Sequence, residues 1–202
     1  MTNHLHKNDL PANVHFGDVV AIDTETLGLN PMRDRLCVVQ LSDGNGDAHL
    51  VQFDGDDYSA PNLRTMLADE TILKLFHFAR FDLAVLKYNL HVMPQNIYCT
   101  RTASKLSRTY TDNHGLKVLC EEILGIDISK KQQSSYWGIE ELTEKQIDYA
   151  ANDVLHLHQL YGELNLRLER EGRLQLALGV MEFLPTRAEL DLSGWDGDIF
   201  AH

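Results

Sequence analysis

The sequence predicts one α/β domain, a mixed sheet with flanking helices, and three observations predict it. Residues 19–23 (VVAID), 35–42 (RLCVVQLS) and 48–53 (AHLVQF) are short apolar runs rich in β-branched residues, the pattern of buried strands. Beyond them strand-like and helix-like segments alternate, and the last third shows only helical periodicity. The 202 residues are 44% hydrophobic and 24% charged, with no Pro/Gly/Ser-rich linker, so a single core of ordinary size is expected.

Each element has its own signal. Asp43-Gly44-Asn45-Gly46-Asp47, between the second and third runs, is turn chemistry and predicts an antiparallel hairpin. Pro61 opens a short helix over 62–68. Residues 72–76 (ILKLF) read as a fourth strand, and 81–88 show helical spacing at Phe81, Val85 and Tyr88, with Leu86 beside them. Two amphipathic helices follow at 100–107 and 116–124, the second closed by Gly125. Thr143 and Gln146 form a T-x-x-Q capping box, from which one long helix is expected to run to about Gly172. The tail 181–202 is broken by Pro185 and glycines yet keeps Phe183, Leu184, Trp195, Ile199 and Phe200. A disordered tail would not carry so many large apolar side chains, so it is expected to dock on its own subunit or a neighbour.

Composition narrows the function. No stretch approaches the roughly 18 consecutive apolar residues that cross a bilayer, and the N-terminus lacks a signal-peptide pattern, so a cytoplasmic protein is expected. Cys37, Cys99 and Cys120 are odd in number and widely spaced, which argues against a disulfide framework or a zinc–thiolate site. The ten histidines show no zinc spacing, and His156 and His158, two apart on a helix, do not readily share a metal. Eighteen basic against 30 acidic residues leave a net charge of -12, which disfavours a groove tracking a long polyanion. A small anionic substrate held through metal ions stays open.

Three acidic groups suggest that chemistry. Asp23 and Glu25, at i and i+2 in a strand, share a face. Asp82 lies in the first turn after the fourth strand. Tyr149 and Asp153, at i and i+4, project together from the long helix, whereas Asp148 is turned about 100° away. Singly, each has an ordinary reading: a solvated strand end, an acid at a helix start or paired with Arg80, a boundary tyrosine beside a surface aspartate. Together they supply four hard oxygen donors for Mg²⁺ or Mn²⁺ and a group to position water. Two such ions about 3.5–4 Å apart suit in-line attack at phosphorus.

In order and local context, Asp23 with Glu25, Asp82, and Tyr149 with Asp153 resemble the three motifs of the DEDD exonuclease superfamily, in its tyrosine branch. QQSSYW (132–137) and LTEKQIDYAANDVLHLHQL (142–160) are similar to RNase D, and the C-terminal helical domains that grip RNA there are not expected here. Along its whole length the chain resembles the nano-RNase C family of short RNase D-like enzymes, in DTETLGLNPMRDRLCVVQLS, KLFHFARFDLAVL, ASKLSRTYTDNHGLK, ISKKQQSSYW and LDLSGWDGDIFAH. The resemblance implies an RNase H-like (DnaQ-like exonuclease) fold and two-metal 3′–5′ exoribonuclease activity on very short RNA, especially dinucleotides. It also implies a ring-shaped homo-octamer. Asp23, Glu25, Asp82 and Asp153 become metal ligands, with Asp23 bridging two ions of Mg²⁺ or Mn²⁺, and Tyr149 orients the attacking water.

The same carry-over makes Leu29 a wedge between two bases, against a turn leucine packed on the sheet, and sets Thr24 at the terminal 3′-OH. His77 and Phe81 would meet sugar or base, although Phe81 also reads as core. Lys130, Gln133, Ser135 and Trp137 would border the substrate, with Trp137 either stacking on a base or anchoring the fold. Arg101, Lys105 and Arg108 share a helical face and either meet a 5′-phosphate or form a solvated stripe. The alternatives are an RNase D-like trimmer of longer RNA or a DNA exonuclease, and a catalytically silent nucleotide-binding module.

Overall fold

The apolar runs become the middle of a six-stranded sheet. The computed structural model describes residues 2–129, 131, 132 and 134–201. Strands β1 (Asn3–Lys7), β2 (Val19–Thr26), β3 (Leu36–Ser42), β4 (Ala48–Gln52), β5 (Leu73–Phe76) and β6 (Ile97–Cys99) lie in the order β1-β4-β3-β2-β5-β6. β3 pairs antiparallel with both β2 and β4, while β1–β4, β2–β5 and β5–β6 are parallel. All seven residues of β3 are buried, because helices cover one face and the other is packed too, so its apolar run does not alternate. The predicted hairpin joins β3 to β4, with Gly44 and Gly46 at φ 84° and 100°, backbone that glycine adopts without penalty.

Helices α1 (Pro61–Ala68), α2 (Ala79–Leu90), α3 (Thr100–Ser107) and α4 (Leu116–Leu119) follow as expected, α4 running on through a π-turn at Cys120–Leu124 to Gly125. The capping box of Thr143 and Gln146 is formed in both directions. The long helix it opens is two helices, α5 (Glu144–Leu155) and α6 (Leu157–Arg170), split at His156, where φ is -104° and ψ -4°. The change of direction follows the packing: α5 lies over β2, β3 and β4, and α6 packs mainly on α3.

Pro185 does not break the last helix either. α7 (Leu174–Leu192) runs through it. An interior proline costs about 3 kcal/mol. Against that, Ala177, Met181, Leu184 and Ala188 are buried along one stripe, and each large side chain among them is worth about 1.5–3 kcal/mol. Arg80 on α2 also forks onto Asp191 at 2.6 and 2.7 Å, tying α7 to the helix that carries Asp82. Beyond α7, Arg187 donates to the carbonyls of Trp195 and Gly197, and Phe183 meets Phe200 with ring centroids 6.2 Å apart. Trp195, Ile199 and Phe200 nonetheless stay exposed. Among the described residues no helix is long and apolar enough to cross a membrane.

Candidate active site

The strand order brings the acidic groups together. β2 lies near the centre of the sheet, and its register against β3 slips between Glu25 and Thr26, a bulge that ends the strand. Asp23 and Glu25 face the same side, as their spacing predicts, and α5 crosses that side with Asp153. Oxygens of Asp23, Glu25 and Asp153 all lie within 4.8 Å of one another. Thr24 points the other way and donates from Oγ1 to Asp82 Oδ1 at 2.7 Å, so the buried Asp82 is fixed to the same strand. Gln40, directly opposite Asp23 on β3, donates from Nε2 to Asp23 Oδ2 at 3.1 Å.

Crowding sets the electrostatics. Burial, and then the charges of Asp82, Asp153 and Glu25, hold the Asp23 carboxyl well above the usual carboxylate range. Glu25 is pushed up to about 9 by burial and by Asp153 and Asp82. Asp82 is pushed up to about 7, mainly by burial, although hydrogen bonds from Thr24 pull it down. Tyr149 donates its phenol proton to Asp153, and burial together with the surrounding carboxylates moves its deprotonation far above neutral pH.

These shifts predict a pH-dependent stability. The folded protein keeps a proton on Asp82 up to about pH 7 and on Glu25 up to about pH 9, whereas unfolded carboxyls, with pKa near ~4, have released theirs. Stability without metal therefore falls as pH rises between those values. A cation that binds the ionised carboxylates opposes the trend, so its stabilising effect grows with pH. Melting curves in EDTA and in Mg²⁺ from pH 5 to 9 are expected to diverge steadily; a constant gap would contradict the crowded-carboxylate picture.

A cavity of about 610 Å³ opens over this cluster, lined among others by Leu29, His77, Phe81, Tyr149 and Arg101. Leu29 is 87% exposed, which excludes packing on the sheet. Its loop is stiff: Asp34 Oδ2 accepts from the backbone of Asn30 at 2.9 Å, and the Asn30 side chain caps Met32 at 3.0 Å. Gly28 makes this possible, because a β-carbon there would stand 2.3 Å from Asp34 Oδ2. His77 is held through Nδ1 by the Thr100 hydroxyl at 2.9 Å. Phe81 is half-buried, at once in the cleft wall and against the core.

Other expectations need correction. The Thr24 hydroxyl gives its proton to Asp82 and so orients that carboxylate, which leaves its oxygen as an acceptor where Thr24 lines the cleft. Trp137 is 2% exposed, with its ring centroid 6.1 Å from that of Tyr149; it braces the tyrosine and offers no open face for a base. The Arg101, Lys105, Arg108 stripe does not exist as one surface. Arg108 is fully buried, donating to Asn113 O at 3.0 Å, Ser104 Oγ at 3.2 Å and Glu122, whereas Lys105 is exposed and Arg101 alone lines the cleft. The Ser135 hydroxyl donates to Gln132 at 2.6 Å, and its neighbour Ser134 reaches the cleft instead. Lys130 and Gln133 lie outside the described residues. Periodicity does not point to Gln40, which holds Asp23, or to Phe78 and Lys117, which line the cleft. Only Gln40 had a signal, an amide inside an apolar strand.

The family described as 3′–5′ exonuclease matches residues 6–169, a span that contains all five residues of the cluster. The chain belongs to the 3′–5′ exonuclease family. This exonuclease is similar to Brucella melitensis NrnC bound to pGG, at 56% identity over 100% of this chain and 99% of that one, with a TM-score of 0.96. It is equally similar to Brucella melitensis NrnC with bound Mg²⁺, at 56% identity, full coverage of both chains and a TM-score of 0.94. Ribonuclease D of Granulibacter bethesdensis is 36% identical over 160 residues, which are 77% of this chain and 39% of that protein. The exonuclease thus spans well under half the length of that curated relative. Its mixed sheet and flanking helices are the RNase H-like, DnaQ-like exonuclease fold, shared with Escherichia coli RNase D at 27% identity and a TM-score of 0.74, over 85% of this chain and 45% of that one.

Proposed function

We propose that this exonuclease is a divalent-metal-dependent 3′–5′ exoribonuclease that degrades very short RNA, dinucleotides above all, to nucleoside monophosphates. The observation that carries the reading is the meeting of Asp23, Glu25 and Asp153 with Tyr149 in one cleft that also exposes Leu29, with the buried Asp82 tied to the same strand through Thr24.

The donor set fits a hard cation. Carboxylates this close, raised in pKa by burial and mutual repulsion, are stabilised in their charged form by a divalent ion and by little else. In this reading Asp23, Glu25, Asp82 and Asp153 hold two ions of Mg²⁺ or Mn²⁺, and the Mg²⁺-bound relative supports magnesium. Bound there, such ions lower the pKa of a water and stabilise the leaving oxygen. The protein's share is placement. Thr24 and Gln40 fix two of the carboxylates, and Tyr149, protonated at neutral pH, orients the water by hydrogen bonding. Leu29 separates the two bases, His77 and Phe81 contact sugar or base, and Arg101, which lines the cleft with Lys117, faces a 5′-phosphate.

Preference for short RNA is supported by the pGG-bound relative and by the charge of -12, which repels a longer polyanion. The assembly in this reading is a cytoplasmic homo-octamer, and the exposed Trp195, Ile199 and Phe200 support a contact between subunits. Hydrolysis of 5′-phosphorylated RNAs of two, three, five and seven nucleotides with Mg²⁺ or Mn²⁺ tests the reading. The dinucleotide is expected to have the highest kcat/KM; equal efficiency at all lengths would overturn the short-RNA assignment.

A further inference from the structure

Phe78 stands between His77 and the first residue of α2, with φ 73° and ψ 42°. That is the left-handed region, which glycine or asparagine enters readily and a bulky side chain does not. The strain is not offset by burial, because the side chain is 48% exposed. Nor does Phe78 cap the helix through its side chain. Its ring instead lines the catalytic cleft and a second cavity of about 340 Å³, on the boundary that it shares with Leu29 and Phe81. The Arg101 guanidinium lies over the ring, with Cζ 4.8 Å from the centroid. A residue that strains the backbone and buries little is retained for what it touches outside the fold.

We infer that Phe78 is a specificity-determining residue, an aromatic platform on which a nucleobase of the short RNA stacks while Arg101 braces the ring. The inference rests on the short-RNA reading and names a contact for it. Stacking on an aromatic ring tolerates every base, since each has a π-face. The platform therefore favours the presence of a second nucleoside without choosing which one.

The test compares Phe78→Gly, Phe78→Ala and Phe78→Trp with the wild type in the full-length, Mg²⁺-loaded protein. Steady-state kinetics on pGG, binding of fluorescently labelled pGG and melting temperature are the readouts. Phe78→Gly relieves the left-handed strain, so it is expected to melt no lower than the wild type while KM rises at least about tenfold and kcat changes less, as expected when a stacked base is lost. Phe78→Trp is expected to keep KM near that of the wild type. A KM within twofold of wild type in Phe78→Gly overturns the inference, and so does an equal KM in the Ala and Trp variants should the glycine variant not fold. Were the wild type to leave pGG uncut, the short-RNA hydrolase reading would fall, while labelled-pGG binding would still decide the platform.

Discussion

Asp23→Asn is expected to lower kcat/KM by at least about a thousandfold, equivalent to roughly 4 kcal/mol of transition-state stabilisation, and to make the metal-free protein melt higher. Both effects follow from one location. Asp23 is crowded by Asp82, Asp153 and Glu25 and is pushed far above the usual carboxylate range. Asparagine keeps its shape but removes the charge and one anionic donor oxygen. Without metal the buried cluster loses a carboxyl whose ionisation is opposed by burial and by its acidic neighbours, so the fold is expected to be stabilised. With metal the advantage reverses, because the wild type gains a cation that the variant holds poorly. Single-turnover hydrolysis and melting in EDTA and Mg²⁺ check the two halves together. Activity within tenfold of wild type would remove Asp23 from the catalytic group. A fall in metal-free melting temperature would show that its negative charge is compensated by something other than a bound cation.

What could be read from the sequence, and what could not, divides along the range of the interactions. The Asp23–Glu25 face and the Tyr149–Asp153 face depend on periodicity within one element, and the structure keeps both. The helix ends set by Pro61, Thr143 and Gly125 are equally local. By contrast, β1 is a polar edge strand defined by pairing with β4, forty-odd residues away, and β6 is three residues long; neither has an apolar pattern to find. His156 breaks the long helix because the two halves pack on different partners, and no residue at the break announces it. Pro185 is the opposite case. A strong local breaker is overruled by a buried stripe and by the fork of Arg80 on Asp191. At the site, the same logic hides the supports: Thr24 is read correctly as part of the motif, but its hydroxyl turns to Asp82, fifty-eight positions along the chain. Arg108 looked like surface because its partners, Asn113 and Glu122, lie on a loop and a π-turn that periodicity does not fold back.

Tyr149→Phe is expected to separate water positioning from metal binding. Burial and the carboxylates of Asp153, Glu25 and Asp23 hold the phenol protonated, so in the proposed reaction it is expected to donate a hydrogen bond at neutral pH. Phenylalanine keeps the ring that Trp137 braces, so the melting temperature should hardly move. The four carboxylates are untouched, and affinity for Mn²⁺ is expected to stay within a few-fold. What disappears is one O–H beside Asp153. A misplaced nucleophile and a lost donor together cost about a hundredfold or more in kcat, with KM for a dinucleotide little changed. The pH profile adds a second check. Since the tyrosine is not the group that titrates near neutrality, the variant is expected to keep the shape of the wild-type profile at a lower level. A variant that loses its alkaline limb would make Tyr149 the proton acceptor after all. One with full activity would leave the water to be positioned by the carboxylates alone.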